Sequence, residues 1–303
     1  MSIRTLGALG LLLVAPAFAA TDINQTRPLN ADGRVHIDNL KGSIVVRTWA
    51  QPQVKITGSL GKGVEKLRVE GDARSLDIEV EYPDHNEGGW NLWGRDGNKI
   101  EPTFLEVTIP QRASLEVESV SANIDVQQMA GRQLEAASVS GAIIITASSP
   151  GEADVESVSG DITLRITSNN VDVESVSGDV NLQGGLNGSV SIESVSGNLT
   201  MAAQALGRLQ ASTVSGDAQL QAALKPNGVI RAESLSGDVR LTMPRGTNAE
   251  LSVETFSGDI NSPSGQVIEE EHGPGKTLEA RLGSGQGDIH IESFSGDVTL
   301  QLN

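Results

Sequence analysis

The chain has 303 residues, no cysteine and a formal net charge of −17 at pH 7. Without thiols it can form neither disulfides nor thiolate metal sites, and so acidic a protein is a poor candidate for binding nucleic acid or anionic lipid. Its 34 glycines and its aromatic content of only 3% suit thin β-coils around a narrow core.

Residues 1–20 have the composition of a secretory signal peptide. A basic start is followed by an apolar run from Leu6 to Ala15 and then by small residues. The run is too short to span a bilayer, and small residues after it are typical of a signal-peptidase site. We therefore expect cleavage near Ala19-Ala20 and a mature protein in the periplasm, at the cell surface or outside the cell. No later stretch is apolar enough to cross a membrane.

Residues 21–112 are predicted to form an irregular β part that caps the rest of the chain. Apolar and polar residues alternate over 34–46, 53–57 and 76–80, which is the period-two pattern of a half-buried strand. The first of these segments places Gly42 between two strands, as the later repeats do with their own glycines.

The segment from Tyr82 to Thr103 interrupts this pattern and is predicted to be a long loop. It holds two of the three tryptophans, and long loops on regular scaffolds often carry function. One interpretation is that these indoles stack on sugar rings, with nearby polar groups as partners. The alternative is that the loop packs on the apolar end of the sheet, because large aromatic side chains more often serve packing. The candidate ligand-binding residues are Trp90, Trp93, Asp84, His85 and Arg95, with Asn91 and Asp96 beside them.

From residue 113 onwards the sequence repeats one short phrase. Its fullest form is Glu-Ser-Val-Ser-Gly-Asp, found at 156–161 and 174–179, and variants recur as far as 292–297. The small residue at its fifth position returns after 18, 19 or 21 residues, with one final interval of 38. A near-constant period of this size indicates one structural unit stacked many times. The marker residues are Ala122, Gly141, Gly160, Gly178, Gly197, Gly216, Gly237, Gly258 and Gly296.

Each repeat has room for two short strands and two corners but not for a helix. Residues 171–174 and 179–182 alternate between apolar and polar, and the Ser-Val-Ser-Gly segment between them is rich in turn-forming residues. We therefore predict an all-β protein whose residues 113–303 form a regular parallel β-solenoid with coils of about 19 residues. Residues 261–276 are predicted to be an inserted loop that accounts for the doubled interval.

The corner segments predict three stacked rows of side chains. The apolar residue after the first serine is expected to pack inside the solenoid, and its change from Val158 to Phe256 to fill a wider space near the C-terminal end. The first serines are expected to form a buried hydroxyl ladder from coil to coil. The glycines are expected to serve the turn by taking positive φ.

The acidic residues that flank each corner are the candidate metal ligands. Glutamates precede the corner and aspartates follow it, so each set is expected to line up at one coil spacing, where neighbouring carboxylates repel. Ca²⁺ prefers oxygen ligands and would relieve that repulsion. The alternative is that the aspartates make local turn bonds and stay hydrated, and the nonapeptide of calcium-binding β-rolls is missing. The candidates are Asp161, Asp179, Asp217, Asp238, Asp259 and Asp297.

Known catalytic motifs are missing from the sequence. It has no His-Glu-x-x-His and no Gly-x-Ser-x-Gly, and none of its four histidines stands near a plausible nucleophile. His272 beside three glutamates fits a solvated acidic loop better than a metal site. The sequence therefore predicts a non-enzymatic protein without a cofactor. A polysaccharide-active β-helix enzyme remains an alternative, because the acids and bases of such enzymes project from coil surfaces and leave no local signature.

The serial Ser-Val-Ser-Gly-Asp-Val corners, the Leu-x-Val-x-Ile-Pro segment at 105–110 and the signal peptide resemble the bacterial DUF4097 family of candidate adhesins. This resemblance covers roughly residues 30–303 and implies a β-solenoid fold, export and no enzymatic role. We expect a scaffold or interaction surface at the cell envelope, with a protein or a glycan as partner. A glycan-binding module using Trp90 and Trp93 is the alternative. End-to-end self-association is a further expectation, because solenoid ends expose unpaired strand edges.

Overall fold

The computed structural model describes residues 21–83 and 100–303, and all regular secondary structure in these ranges is β-strand. Nowhere in them is there a helix that could cross a bilayer. The predicted signal peptide, residues 1–20, lies outside the described residues. So do Trp90, Trp93 and the other candidate ligand-binding residues of the predicted loop, all within 84–99.

The strands belong to one continuous sheet. Those of the N-terminal part are β1 (Thr21–Pro28), β2 (Arg34–Trp49), β3 (Gln53–Leu60), β4 (Lys66–Gly71), β5 (Ser75–Glu81) and β6 (Thr103–Pro110). The central strands are β7 (Ser114–Gln127), β8 (Gln133–Ser138), β9 (Ile143–Ser148), β10 (Glu152–Ser157), β11 (Ile162–Ser175), β12 (Val180–Ser194), β13 (Leu199–Thr213) and β14 (Ala218–Ser234). The C-terminal strands are β15 (Val239–Met243), β16 (Ala249–Thr255), β17 (Ile260–Asn261), β18 (Gln266–Glu269), β19 (Lys276–Leu282), β20 (Gly287–Ser293) and β21 (Val298–Leu302).

The central strands pair in parallel, each with the equivalent strand of the next repeat. Glu156 lies opposite Glu174, and Glu174 lies opposite Glu193. Equivalent residues of successive coils therefore form rows that run across the strands, about 4.8 Å apart. The two strands predicted for each repeat are separate in β9 and β10, whereas β11 to β14 run through the bend as single strands with register irregularities.

The core is a narrow column of inward-facing side chains. Val155, Val173 and Ile192 are fully buried and occupy one row, and the residues on either side of each of them in the sequence point outward. This alternation is what the period-two pattern predicts for strands with one dry face. The chain is therefore all-β and solenoid-like, with a core built from stacked aliphatic rows.

The corner glycines are required because successive corners stack closely, and not because their backbone angle φ is positive. A Cβ added to Gly178 would lie 2.1 Å from the carbonyl oxygen of Gly160, and one added to Gly197 would lie 1.9 Å from that of Gly178. The predicted positive φ is wrong for the corner glycines of the repeats, because none of them is among the glycines with that conformation. From Gly141 onwards the corner backbones touch each other directly, so a side chain does not fit there. Ala122 occupies the equivalent position in the first corner.

Substituting a corner glycine should therefore unstack the coils. We expect Gly178→Ala to lower the free energy of unfolding by about 3 kcal/mol, since the added methyl must push two backbones apart. Gly207→Ala is the matched control, because its nearest new contact is an ordinary 3.5 Å. Thermal and denaturant unfolding followed by circular dichroism measures both. Equal unfolding midpoints for the two variants would contradict the stacking argument.

The first serine of each corner is buried, as predicted, but its hydrogen bonds are local. Ser175 Oγ donates to the carbonyl of Gly178 at 2.8 Å and accepts the Gly178 N–H at 3.1 Å. The predicted coil-to-coil ladder is wrong for this row, because the hydroxyl is used up within its own corner. Threonine replaces serine in two corners. Thr213 makes the same pair of bonds with Gly216, whereas Thr255 accepts the Gly258 N–H and donates to the carbonyl of Gly296 in the adjacent coil.

Removing the Ser175 hydroxyl should destabilise the protein, whereas replacing Ser175 with threonine should not. Ser175→Ala leaves a buried N–H and a buried carbonyl without their partner, so we expect a loss of about 1–3 kcal/mol in the free energy of unfolding. Ser175→Thr keeps the oxygen and should unfold near the wild-type midpoint, as the Thr213 corner indicates. Chemical denaturation of the two variants tests this; a threonine variant as unstable as the alanine one would count against it.

The order of coils at both ends differs from the order of the sequence. Strand β2 lies between β5 and β6 on one side and β7 on the other. At the opposite end β20 lies between β14 and β16, and β21 lies between β15 and β17. Strand β2 near one end of the chain, and strands β20 and β21 at the other, are thus inserted one coil inside the stack. This insertion explains the interval of 38 residues, because the segment after β17 passes outward and returns before the last repeat.

Antiparallel strands cover the outer coils at both ends. At the N-terminal end β3 pairs with β6, β1 pairs with β3, and β4 pairs with β5. At the C-terminal end β19 pairs with β16, and β18 pairs with β19, so the predicted insertion 261–276 contains a strand and leads into a hairpin. The outermost strands β1, β4 and β18 each pair with a single neighbour, so strand edges remain at both ends. The expected end-to-end self-association remains a prediction.

Candidate functional site

The hydrogen bonds of the corner account for four of the six residues in the repeated phrase. The first serine and the glycine are described above. The second serine bonds to the preceding coil: Ser177 Oγ donates to the carbonyl of Val158 at 3.1 Å. The aspartate accepts from the following coil, as when the Asp179 N–H donates to Asp161 Oδ1 at 3.1 Å. The glutamate and the apolar residue have no such role in stacking.

The apolar residues form a row on the outer surface, which we call the apolar row. Their side chains are between 41% and 53% exposed. The predicted interior packing of this row is therefore wrong: the serine before each of them takes the inward position, and alternation turns the apolar side chain outward. In spatial order the row consists of Val120, Val139, Val158, Val176, Val195, Val214, Leu235, Phe294 and Phe256.

The phenylalanines at one end of the apolar row stack on each other. The rings of Phe256 and Phe294 have centroids 4.9 Å apart and an interplanar angle of 9°. Both side chains are about half exposed. The predicted reason for the change from valine to phenylalanine, a wider interior, is thus replaced by an aromatic pair on the surface.

The glutamates form a second exposed row, which we call the glutamate row. It runs beside the apolar row, with the buried serines between the two. Alanine stands at position 137 and serine at 212, so two coils lack the carboxylate. The members in spatial order are Glu118, Glu156, Glu174, Glu193, Glu233, Glu292 and Glu254.

The two rows enclose a shallow groove along the stack. One section, of about 660 Å³, extends from Asp38 to Val214, and the next, of about 510 Å³, continues from Ser212 to Phe256 and Phe294. The sections share Ser212 and Val214, so the groove is continuous. Nine coils contribute to the apolar row, which at about 4.8 Å per coil is about 38 Å long.

The acidic surroundings raise the pKa of carboxyl groups in and beside the groove. Burial raises the pKa of Glu174, and the charges of Glu156, Asp172 and Glu193 raise it further. The pKa of Asp154 is raised by burial and by Glu156 and other carboxylates nearby. In both groups burial is the larger cause of the raised pKa, and the charges of neighbouring carboxylates add to it.

The candidate calcium ligands lie in a third row, on the far side of the apolar row. Each aspartate follows the corner glycine and is exposed. One oxygen of each of several of them accepts a backbone N–H from the adjacent coil, as Asp217 Oδ1 does from Asp238 and Asp238 Oδ1 from Asp297. Their carboxylates therefore have a structural use that does not require an ion. The aspartate row includes Asp161, Asp179, Asp217, Asp238, Asp297 and Asp259.

A different group of potential ligands was not predicted from the sequence. His36, Glu116 and Glu118 place ligand atoms within 4.8 Å of one another. The histidine Nδ1 also lies 3.3 Å from Asp77 Oδ1. These residues meet because β2 pairs with β7, and no local sequence pattern signals a contact over that separation.

Two larger depressions lie at the ends of the stack. One, of about 930 Å³, is lined by residues 21–25 and 60–67, and another, of about 810 Å³, is lined by parts of β14, β16, β19 and β20. Neither is repeated from coil to coil. The groove is repeated from coil to coil, because the same residue types line it in successive repeats. It is therefore the best candidate for a functional surface.

The stacked parallel strands and the surface rows define a solenoid-like repeat protein. The chain belongs to the DUF4097 family, since the family model described as Toastrack DUF4097 matches residues 33–301. No curated protein matches the chain. The expected family membership is thereby confirmed.

Solved structures of bacterial proteins match most of the chain, and one of them reaches a TM-score that indicates a shared fold. A candidate adhesin from Parabacteroides merdae is 10% identical over 92% of this chain and 95% of its own, with a TM-score of 0.50. A candidate adhesin from Bacteroides fragilis is 10% identical over 93% and 98%, with a TM-score of 0.36. A candidate lipid-binding protein from Parabacteroides distasonis is 11% identical over 93% and 95%, with a TM-score of 0.38. At such identities the likeness to the first of these concerns the fold alone.

The raised pKa of Glu174 predicts how pH affects stability. Its pKa in the folded protein lies above the ordinary value of 4.5, so its protonation favours folding, and stability is lost as pH rises through the folded pKa. We expect Glu174→Gln to raise the thermal midpoint at pH 7, where the wild-type carboxylate is charged. The difference should shrink as pH falls towards about 4.5. Differential scanning calorimetry across this range measures it.

Glu271→Gln is the control for this prediction, because Glu271 is an exposed carboxylate outside the groove. It should change the midpoint less than Glu174→Gln at pH 7. A midpoint that falls on Glu174→Gln would show that the groove carboxylates do not repel one another.

Proposed function

We propose that this protein is an exported, non-catalytic scaffold that binds a partner along the groove, as an adhesin-like component of the cell envelope. The observation that carries the proposal is the repetition of the glutamate and the apolar residue in coil after coil, although the hydrogen bonds of the stack use neither side chain. Stacking requires the serines and the glycine, and it uses the aspartate. The two remaining residue types are available for a partner.

The shape of the groove favours extended contact over a pocket. It is shallow and about 38 Å long, with an apolar wall that is about half exposed. Aliphatic and aromatic side chains gain free energy when they leave water, at about 25 cal/mol per Å² of apolar surface, and contiguous exposed apolar patches mark interaction sites. A partner that covers several coils would gain from each of them.

Export and the adhesin-like role are supported by different observations. The predicted signal peptide supports export, and membership of a family with a shared repeat fold supports a scaffold. The names of the structural neighbours from Parabacteroides merdae and Bacteroides fragilis agree with binding at a surface. The carboxylates of the groove recur from coil to coil, which fits an extended binding surface better than a single catalytic centre.

The proposal is tested by binding of the purified mature protein to isolated bacterial envelopes. We expect Val176→Ser with Val195→Ser to weaken binding at least about tenfold, because the apolar wall is interrupted at its centre. Ile144→Ser is the matched control, since Ile144 is an equally exposed apolar side chain outside the groove. Circular dichroism confirms that each variant is folded.

Equal envelope binding by the wild type and the Val176/Val195 variant would overturn the proposal. Loss of binding in a Trp90→Ala, Trp93→Ala variant, with the groove variant unaffected, would instead support the glycan-binding alternative. That alternative remains a prediction, as does the polysaccharide-active enzyme.

A further inference from the structure

The apolar row lies between two rows of carboxylates. The glutamate row runs along one side of it, and the aspartate row, on the other side of the corner, runs along the second. Among the described residues that line the central section of the groove there is no lysine and no arginine. An occupant of this surface is therefore expected to present apolar groups to the apolar row and positive charges to a row of carboxylates beside it.

Charge argues against two other occupants. A second copy of this chain would bring another net charge of −17 against the first, and its own carboxylate rows would face those of the groove. An anionic lipid surface would be repelled in the same way. A cationic partner would place positive charges beside carboxylates that repeat at one coil spacing, and it would offset their mutual repulsion.

The backbone of the groove is not available to a partner. At the corners the N–H groups donate to the preceding coil, as Val176 does to Ser157 and Ser177 to Val158, both at 3.0 Å. A peptide therefore cannot add as a further strand along the groove and must bind through side chains. An extended chain without internal hydrogen bonds, already ordered before binding, loses the least conformational entropy in such a site.

The spacing of equivalent residues along a row, from coil to coil, favours one extended conformation of a bound peptide. Two coils span about 9.6 Å, and three residues of a polyproline II helix span about 9.3 Å. Residues three apart lie on one face of that helix, which has three residues per turn. Side chains two apart on a β-strand are about 6.6 Å from each other, which matches neither one coil nor two.

The C-terminal hairpin contains an internal example of a basic side chain at this surface. Lys276 of β19 forms an ion pair with Asp259, the last member of the aspartate row. It also lines the end of the groove together with Phe256 and Phe294. Its side chain is only 22% exposed. A lysine thus lies where carboxylate and apolar groups meet.

We infer that the occupant of the groove is a polypeptide in the polyproline II conformation with a basic residue at every third position and apolar residues or proline between. The inference rests on the proposed function and names the partner class. The basic side chains pair with carboxylates of alternate coils, and the apolar side chains cover the valines between Val120 and Val214.

The test uses a fluorescent peptide of Lys-Pro-Val repeats, about 12 residues long, which spans about 37 Å as polyproline II. Fluorescence anisotropy measures its binding to the purified mature protein. We expect saturable binding that weakens with added salt, and that weakens at least about tenfold in a Glu174→Gln, Glu193→Gln variant. Glu269→Gln with Glu271→Gln, which removes the same charge from the exposed hairpin, should leave the affinity unchanged.

A second peptide of the same composition, with its lysines grouped at one end, tests the spacing. We expect it to bind at least about tenfold more weakly. Equal affinity for both peptides, or equal affinity in the two charge variants, would overturn the inference, since binding would then be a general attraction to an acidic protein.

The inference and the proposed function can fail separately. Envelope binding that requires Val176 and Val195, together with no binding of the Lys-Pro-Val peptide, would overturn the inference and leave the proposed function in place. Binding of the mature protein to a glycan array that is lost in the Val176/Val195 variant would do the same and identify a glycan as the occupant.

Discussion

Direct contact between the backbones of successive corners is the constraint on which the other features depend. A Cβ on a corner glycine would lie about 2 Å from the carbonyl of the neighbouring coil, so the corners stack without side chains between them. Because no space is left there, the first serine closes its own corner through Gly178 or its equivalents, and the second serine reaches the carbonyl of the adjacent coil. The apolar residue between the two serines then has only the outer surface to occupy.

The same stacking creates the acidic surface. Identical coils place identical side chains about 4.8 Å apart, and two charges at about that distance repel by about 1 kcal/mol in water. A row of glutamates is therefore unfavourable for the isolated protein, and at Glu174 neighbouring carboxylates add to the burial that raises its pKa. Aspartates offset part of this by accepting backbone N–H groups between coils. Among the described residues no glutamate of the row accepts a backbone N–H between coils, and Glu292 contacts only His290 of its own strand. The repetition of these glutamates therefore supports the proposed binding role.

The ends of the stack differ from the central repeats, because the repeat array terminates there. The outer coils are covered by the antiparallel strands β3, β4 and β19. Near the N-terminal end Asn39 takes the place of the buried serine, and its side chain bonds to the carbonyl of Thr103 and to the hydroxyl of Tyr82. The corner thus changes its chemistry where it no longer has a glycine corner on both sides.

The amino-acid sequence by itself determined the class of the fold and its repeat. The alternation of residues 171–174, the period near 19 and the Ser-Val-Ser-Gly corners predicted parallel stacking of an all-β chain, and the burial of the first serines followed from the same pattern. The residues of the glutamate row and the aspartate row were also apparent as repeated acidic positions. These features depend on neighbours in the sequence, so a local pattern is sufficient to find them.

Only the tertiary structure decided which way the corner side chains point and how the ends are ordered. Hydrophobicity alone favoured placing Val176 inside, whereas the corner allows only one of two adjacent side chains to face inward and assigns that position to Ser175. The glycine requirement, the insertion of β20 between β14 and β16, and the meeting of His36 with Glu116 all depend on contacts between distant segments. The groove exists because of these contacts, since its two walls become a surface only when the coils are stacked.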